Sequence, residues 1–312
     1  MRILFTGASS FTGYWFASAL HEAGHEVTAV CREPRLEAYD GVRRRRLELL
    51  AGRVRAVFGL AFGDDRFVGL LRESEPFDVI CHHGATAADH KAGSFDLLGA
   101  VERNTRNFPA VVDAAGARNL RALVLTGTYF EPDEGQGSAP LRAFSPYGLS
   151  KALTWQIARY HCETRGLPLG KFVLPNPIGP LDEPRFLGYL LATWARGGTA
   201  VVRTPEYTRD NAPVDPLARA YATFVARAAE GTTPVSHASP SGWVETVGGF
   251  ATRVRCRIRA LSGRACALEL AVQTEFAEPR ARANTEPLLA GWPAPAEEAF
   301  WARLWAEHAP QA

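Results

Sequence analysis

Tyr147 and Lys151 stand four residues apart in the segment Tyr147-Gly148-Leu149-Ser150-Lys151, a spacing that puts both on one face of a helix. A phenol titrates at about pH 10 in water, too high for useful proton transfer near neutrality. A neighbouring ammonium favours the phenolate and lowers that value, so the pair can exchange a proton with a carbonyl or a carbinol. Composition sharpens the reading. The chain has only three lysines (Lys91, Lys151 and Lys171) against 32 arginines, so a lysine at this offset is not casual filler. Leu123–Thr128, LVLTGT, is an apolar run ending in hydroxyls, and Thr128 can donate to the same substrate oxygen or be an ordinary strand-end threonine. Asn104 reads two ways: it binds a water linking Lys151 to solvent, or it is a buried asparagine at a helix kink.

A second pattern lies at the N-terminus. Gly7-Ala8-Ser9-Ser10-Phe11-Thr12-Gly13 falls between a strand and a helix, where a glycine lets the backbone turn tightly against a pyrophosphate held at the helix N-terminus. Gly7, Ser9, Ser10, Phe11, Thr12 and Gly13 are therefore candidate cofactor residues. Ser10 replaces the middle glycine of the usual pattern, a small residue that can donate its hydroxyl. After the next strand comes Cys31-Arg32-Glu33-Pro34-Arg35. A guanidinium at Arg32 suits a ribose 2′-phosphate, which favours NADP over NAD; Glu33, one position on, is the residue that would instead take a 2′-hydroxyl.

These residues need a scaffold of a particular kind. Strands are expected at Arg2–Thr6, Glu26–Cys31, Val54–Phe58, Asp78–Cys81, Ala122–Thr126 and Gly170–Leu174. Helices are expected over Thr12–Ala23, Arg66–Glu73, Val101–Ala115 and Tyr147–Arg165, and later near Phe186–Arg196 and Glu297–His308. Alternation of this kind implies an α/β fold, a Rossmann-type doubly wound parallel sheet. Residues 1–174 form its dinucleotide-binding domain, and 175–312, looser and richer in Pro and Gly, form a smaller interleaved lobe. The loop Glu131–Pro146 should cover the carboxyl end of the sheet, where such folds bind ligands.

Bulk properties exclude several classes. The net charge of +2 offers no case for nucleic acid or an anionic membrane, and the basic run Arg43–Arg46 reads as a solvated helix end. Five cysteines with no C-x-x-C pair argue for reduced thiols, no structural metal and a cytoplasmic protein. The opening MRILFTGASS does not read as a signal peptide, and no segment reaches the roughly 20 apolar residues of a membrane span.

Taken in order, GASSFTG, Asp78–Ala85 (DVICHHGA), Asn104, LTGT, YGLSK, Pro175–Pro180 (PNPIGP) and Arg209–Asp215 (RDNAPVD) resemble the extended short-chain dehydrogenases. More narrowly, they are similar to the NAD(P)-dependent nucleotide-sugar epimerase/dehydratase/reductase group, over about residues 1–294. The resemblance implies a catalytic hydroxyl, tyrosine and lysine at Thr128, Tyr147 and Lys151. It implies cofactor contacts at Ala85, Asn104 and Lys151, and nucleotide-sugar contacts at Asn176, Arg209 and Arg280, or Arg282 in place of Arg280. The physical reason for arginines there is the diphosphate, whose oxygens match bidentate guanidinium groups; a surface charge is the plainer alternative. His82 and His83 stand where the group has H-L-A-A, so they are expected to pack in the cofactor pocket, with no metal. The group also implies a homodimer, paired through the helices over Val101–Ala115 and Tyr147–Arg165.

One departure bears on the reaction. Sugar 4,6-dehydratases carry an acidic pair directly after the catalytic hydroxyl, whereas Thr128 is followed by Tyr129 and Phe130, with Glu131 out of register. That leaves a site suited to one proton and one hydride. The expectation is an NADPH-dependent ketoreductase of a nucleotide-linked keto-sugar. The alternative is a nucleotide-sugar 4-epimerase retaining NAD. A third reading is a non-catalytic dinucleotide sensor, against which the intact Tyr147/Lys151 pair speaks.

Overall fold

The computed structural model describes residues 1–86 and 95–309. The first elements in chain order are β1 (Arg2–Thr6), α1 (Phe11–Glu22), β2 (Glu26–Cys31), α2 (Gly41–Leu50), β3 (Arg55–Phe58), α3 (Asp65–Glu73) and β4 (Val79–His82). Then come α4 (Leu97–Thr105), α5 (Phe108–Gly116), β5 (Ala122–Thr128), β6 (Gln136–Gly137), α6 (Pro146–Glu163), β7 (Leu169–Leu174) and β8 (Asn176–Ile178). The rest comprises α7 (Phe186–Ala195), β9 (Ala200–Val202), β10 (Thr208–Pro213), α8 (Val214–Ala229), β11 (Val235–Ala238), β12 (Pro240–Ser241) and β13 (Trp243–Thr246). It closes with α9 (Val247–Ser262), β14 (Leu268–Leu270), β15 (Arg282–Ala283), β16 (Glu286–Pro287) and α10 (Ala294–Ala306).

The chain divides into two compact units. The first holds Met1–Glu134, Leu141–Leu174 and Ala218–Ser239. Its centre is a seven-stranded sheet in the order β11-β7-β5-β4-β1-β2-β3, with every pairing parallel. This is the Rossmann-type doubly wound sheet. β1, β4 and β5 are almost wholly buried, as strands covered by helices on both faces must be, which is why they read as unbroken apolar runs. One packed cluster joins Leu4, Ile80 and Leu123 of the sheet to Phe67 and Leu71 of α3, Phe108 and Val111 of α5, and Ala158 and Cys162 of α6. The chain order reverses between β1 and β4, and their carboxyl ends mark the crevice where this fold class places ligands.

Two local features differ from the expected pattern. The helix expected over Val101–Ala115 is two helices, because Asn107 takes a left-handed conformation (φ 48°) and begins α5 afresh. The basic run is not a wholly solvated helix end either: Arg46 on α2 is buried, donates to the Ser9 carbonyl at 3.0 Å and lies over the Phe11 ring.

The second unit holds 135–140, Pro175–Leu217 and Pro240–Ala312. Its core gathers Leu190, Leu191 and Trp194 of α7, Phe250, Val254 and Ile258 of α9, and Phe300, Trp301 and Leu304 of α10. A three-stranded sheet in the order β13-β10-β8 carries the polar residues of interest. Among the described residues no helix is long and apolar enough to cross a membrane, and all five cysteines are free thiols.

Candidate active site

The turn from β1 to α1 is built for close approach. Gly7 has φ +86°, and a Cβ there would lie 2.7 Å from the Gly84 Cα and 2.8 Å from its nitrogen, so the turn runs directly against the exit of β4. Ser10 explains the missing middle glycine. Its φ of −75° is ordinary for any residue, and its Oγ caps α1 by accepting from the Gly13 N–H at 3.1 Å while donating to the Gly7 carbonyl at 2.8 Å. Ser9 and Phe11 are held from outside by Arg46. A tight strand–turn–helix cradle that a Cβ would fill, with the N-terminal end of α1 behind it, fits the pyrophosphate of a dinucleotide.

Two buried histidines lock this turn to the neighbouring strands. The His82 Nε2 meets the Asn104 carbonyl at 2.8 Å. A carbonyl only accepts, so Nε2 carries the proton and Nδ1 accepts from the Thr6 hydroxyl at 3.1 Å. The Thr6 Oγ1 in turn accepts from the Gly84 N–H at 2.9 Å. His83 bridges further. Its Nε2 lies 3.2 Å from both the Ser10 and the Thr12 hydroxyls, and its Nδ1 lies 2.9 Å from the Thr126 hydroxyl. Phe62 stacks on His82 and Phe5 on His83. Burial first, then the Lys151 and His82 charges, push His83 down to about 3. His82 goes down to about 4 through burial, opposed in part by its bond to Asn104. Both rings are therefore neutral at pH 7. Among the described residues no group of His, Cys, Asp and Glu could hold a metal ion.

The candidate proton-handling residues gather at the end of β5. Thr128 is its last residue, buried, and its hydroxyl accepts from the Phe130 N–H at 3.3 Å. The segment leading into α6 seats against the same backbone: the Phe144 N–H donates to the Phe130 carbonyl at 3.0 Å. A Cβ on Gly148 would come within 2.8 Å of the Phe130 carbonyl carbon, so only glycine lets the helix dock this closely. Pro146 opens α6, as suits a first-turn residue with no N–H to satisfy. Tyr147 follows, half-buried, its ring edge-on to Phe95 at 6.1 Å. One turn later Lys151 is 6% exposed. Burial is the main influence on its ammonium and brings it down to about 8, with the Glu131 carboxylate opposing that shift and Lys171 adding to it.

Asn104 sits near the end of α4, just before the break at Asn107. Its Oδ1 accepts from the Thr86 N–H at 3.2 Å and its Nδ2 donates to the Thr154 hydroxyl at 3.3 Å. Thr154 in turn donates to the Ser150 carbonyl on α6. Asn104 thus ties Thr86 to the helix that carries Tyr147 and Lys151. At the end of β2, Arg32 is exposed, its side chain 72% accessible and 3.5 Å from the Glu33 carboxylate. The Glu33 N–H donates to the Tyr39 hydroxyl at 3.2 Å, which shapes that loop.

In the second unit, Asn176 on β8 donates to the Asn211 side chain on β10 at 2.7 Å, the two being register partners. Arg209 is mostly buried, stacks on Tyr207 at 4.6 Å and reaches the 278–280 segment. It donates to the Pro279 carbonyl at 3.0 Å and to Glu278 at 2.9 Å. Arg280 is exposed over the Phe276 ring at 3.9 Å, whereas Arg282 is 1% exposed.

A family model described as the NAD dependent epimerase/dehydratase family matches residues 3–236. The chain belongs to that family. Solved structures of similar shape span essentially its whole length. A variant of UDP-glucuronic acid 4-epimerase from Bacillus cereus, bound to NAD and a fluorinated UDP-glucuronic acid, is 17% identical with a TM-score of 0.74, covering 98% of this chain and 100% of that one. UDP-glucose 4-epimerase from Thermotoga maritima, solved with UDP-glucose, is 17% identical at 0.72, covering 99% and 98%. The dTDP-glucose 4,6-dehydratase of Streptomyces venezuelae is 20% identical at 0.71, covering 97% of each chain.

Within this epimerase/dehydratase frame, sequence reasoning passed over Lys171, Glu134 and Arg46. Glu131 it set aside as out of register for a dehydratase acid. It is in fact committed elsewhere: its Oε1 accepts from the Thr128 N–H at 2.8 Å and its Oε2 pairs with Lys171 at 2.6 Å. The one available signal for Lys171 was its rarity, as one of three lysines, in an otherwise apolar strand.

Proposed function

We propose that this family member is a nucleotide-sugar 4-epimerase working with a retained nicotinamide cofactor. The observation that carries the reading is the Tyr147/Lys151 face beside Thr128, with Glu131 turned away into an ion pair. Thr128 and Tyr147 converge on one sugar oxygen, and Tyr147 takes or returns its proton. A buried ammonium at Lys151 makes the phenolate attainable near neutral pH. Among the described residues no uncommitted acid or base follows Thr128, since Glu131 is held by the Thr128 N–H and Lys171, so loss of water from the sugar is unsupported. A nicotinamide held there would supply reversible hydride transfer to and from the sugar carbon. Gly7, Ser9, Ser10, Phe11, Thr12, Gly13, Arg32, Ala85, Asn104 and Lys151 are the residues assigned to hold it. Two structural relatives are named as UDP-sugar 4-epimerases, which supports UDP-glucose and UDP-glucuronic acid as first substrates to try.

For the second unit we assign Asn176 and the exposed Arg280 to the nucleotide-sugar. Arg209, spent on Glu278 and on carbonyls of the 278–280 segment, orients Arg280 and adds positive charge. The same reading includes a homodimer, supported by Leu98 on α4 and Leu149, Leu153 and Tyr160 on α6, all large apolar side chains left exposed.

A second reading, an NADPH-dependent ketoreductase, is favoured by one observation: Arg32 stands exposed at the end of β2, where a ribose 2′-phosphate would be read. The deciding experiment incubates the protein with UDP-glucose or UDP-glucuronic acid and follows the epimer and the reduced cofactor together. The epimerase predicts interconversion with no net change in reduced cofactor, falling about 10²- to 10⁴-fold in Tyr147→Phe. Turnover that consumes one NADPH per product refutes it in favour of the reductase.

A further inference from the structure

A buried charge network lies behind the candidate catalytic residues. Lys171, 4% exposed on β7, pairs with Glu131 at 2.6 Å and with Glu134 at 2.5 Å, and lies 5.1 Å from the Trp155 ring centroid. Glu134 meets the exposed His237 of β11 at 3.1 Å. Burial works against the Glu134 charge, but the His237 and Lys171 partners outweigh it and hold its carboxyl below the ordinary value. Glu131, 1% exposed, is the inner end of this chain, and its second oxygen is bonded to the Thr128 backbone. Nobody would bury a Lys–Glu pair for stability alone, since two apolar side chains of similar size do as well or better.

We infer that Glu131 is a positioning residue: through its bond to the Thr128 N–H it fixes the catalytic hydroxyl, and its carboxylate balances the Lys151 ammonium against that of Lys171. The inference rests on the proposed role of Lys151. The titratable groups around Lys151 are His82 at the end of β4 and His83 just after it, both neutral, Glu131 after β5, Lys171 of β7, and Tyr147 one turn earlier on its own helix. Among the described residues Glu131 is the negative charge that favours the lysine's protonated form. Lys171 opposes it, so the two act on Lys151 with opposite signs.

Those opposite signs separate an electrostatic role from a merely structural one. The full chain is grown with lysine carrying ¹³C at Cε, and the Cε resonances are titrated by NMR. Three lysines give three signals, assigned by replacing each in turn with arginine. Wild-type Lys151 should titrate at about 8. Glu131→Gln keeps an acceptor for the Thr128 N–H but removes the charge, and should lower the midpoint by about one pH unit or more. Lys171→Met should raise it, and the double variant should return close to wild type. If Glu131→Gln does not fold, the double variant compared with Lys171→Met isolates the same charge and must titrate lower. An unchanged midpoint in Glu131→Gln, or a shift of the same sign in both single variants, overturns the inference. The titration needs no substrate, so failure of the epimerase reading, seen only in turnover, is a separate result.

Discussion

The buried histidine pair makes acid the perturbation to which this fold should be most sensitive. An unfolded histidine titrates at 6.5, whereas His82 and His83 are held at about 4 and about 3. A ring whose folded value is depressed contributes stability that is fully present above its unfolded value. That contribution is lost as pH falls from about 6.5 toward the folded value. Going from pH 7.5 to 5.0, each unfolded ring gains nearly one proton that the folded ring refuses. At 1.36 kcal/mol per pH unit, over the roughly 1.5 units below 6.5, each loses about 2 kcal/mol, and the pair loses about 4. A domain has only about 5–15 kcal/mol to lose. With about 2.1 cal/mol/K of unfolding entropy per residue, 4 kcal/mol corresponds to a drop in Tm of about 6 °C for a chain of this length.

Carboxylates also titrate in this window, so the test is a difference. His83→Leu removes one ring while keeping an apolar side chain of similar bulk. It should be less stable than wild type at pH 7.5, because the Ser10, Thr12 and Thr126 hydroxyls lose their partner. Its further loss between pH 7.5 and 5.0, from urea unfolding followed by circular dichroism, should be smaller than that of wild type by about 2 kcal/mol. Equal losses in the two proteins would refute the assignment of a neutral, buried His83.

Other outcomes follow from single contacts. Gly7→Ala forces a side chain into a left-handed turn against the Gly84 backbone, and should cost about 3 kcal/mol in urea unfolding and weaken dinucleotide binding; unchanged values would contradict the cradle described above. On the reductase reading, Arg32→Ser should weaken NADPH binding about tenfold or more in a fluorescence titration while sparing NADH; equal losses would show that Arg32 does not read the 2′ position. Leu98→Glu combined with Leu153→Glu should convert a dimer to monomer in sedimentation velocity, and a persistent dimer would move the interface elsewhere.

Much of the first unit was legible because buried parallel strands are apolar runs punctuated by glycine, and β1, β2, β4, β5 and β7 are of that kind. What the sequence hid was long-range. The break at Asn107, which Pro109 marks in the sequence, frees the Asn104 carbonyl for His82, 22 positions away, a contact no local pattern shows. β11, which completes the sheet, is four residues long and only partly buried, so it lacks the apolar signature. α8 follows β10 with no loop between them. At the candidate site, type and spacing singled out Tyr147, Lys151 and Thr128, and the structure docks the start of α6 against the backbone just after β5. The role of Glu131 was not readable, because it depends on Lys171, 40 positions on, and on the pairing of β5 with β7. Arg46 misled for a similar reason: a basic run gives no hint that one member folds under the glycine turn.

The most direct test of the epimerase reading is the nicotinamide content of the purified protein, measured by releasing bound cofactor with acid and quantifying it enzymatically. The reading predicts close to one retained NAD per chain, and turnover of a UDP-hexose without added cofactor. Protein that carries no nicotinamide, and acts only while consuming added NADPH, would contradict it.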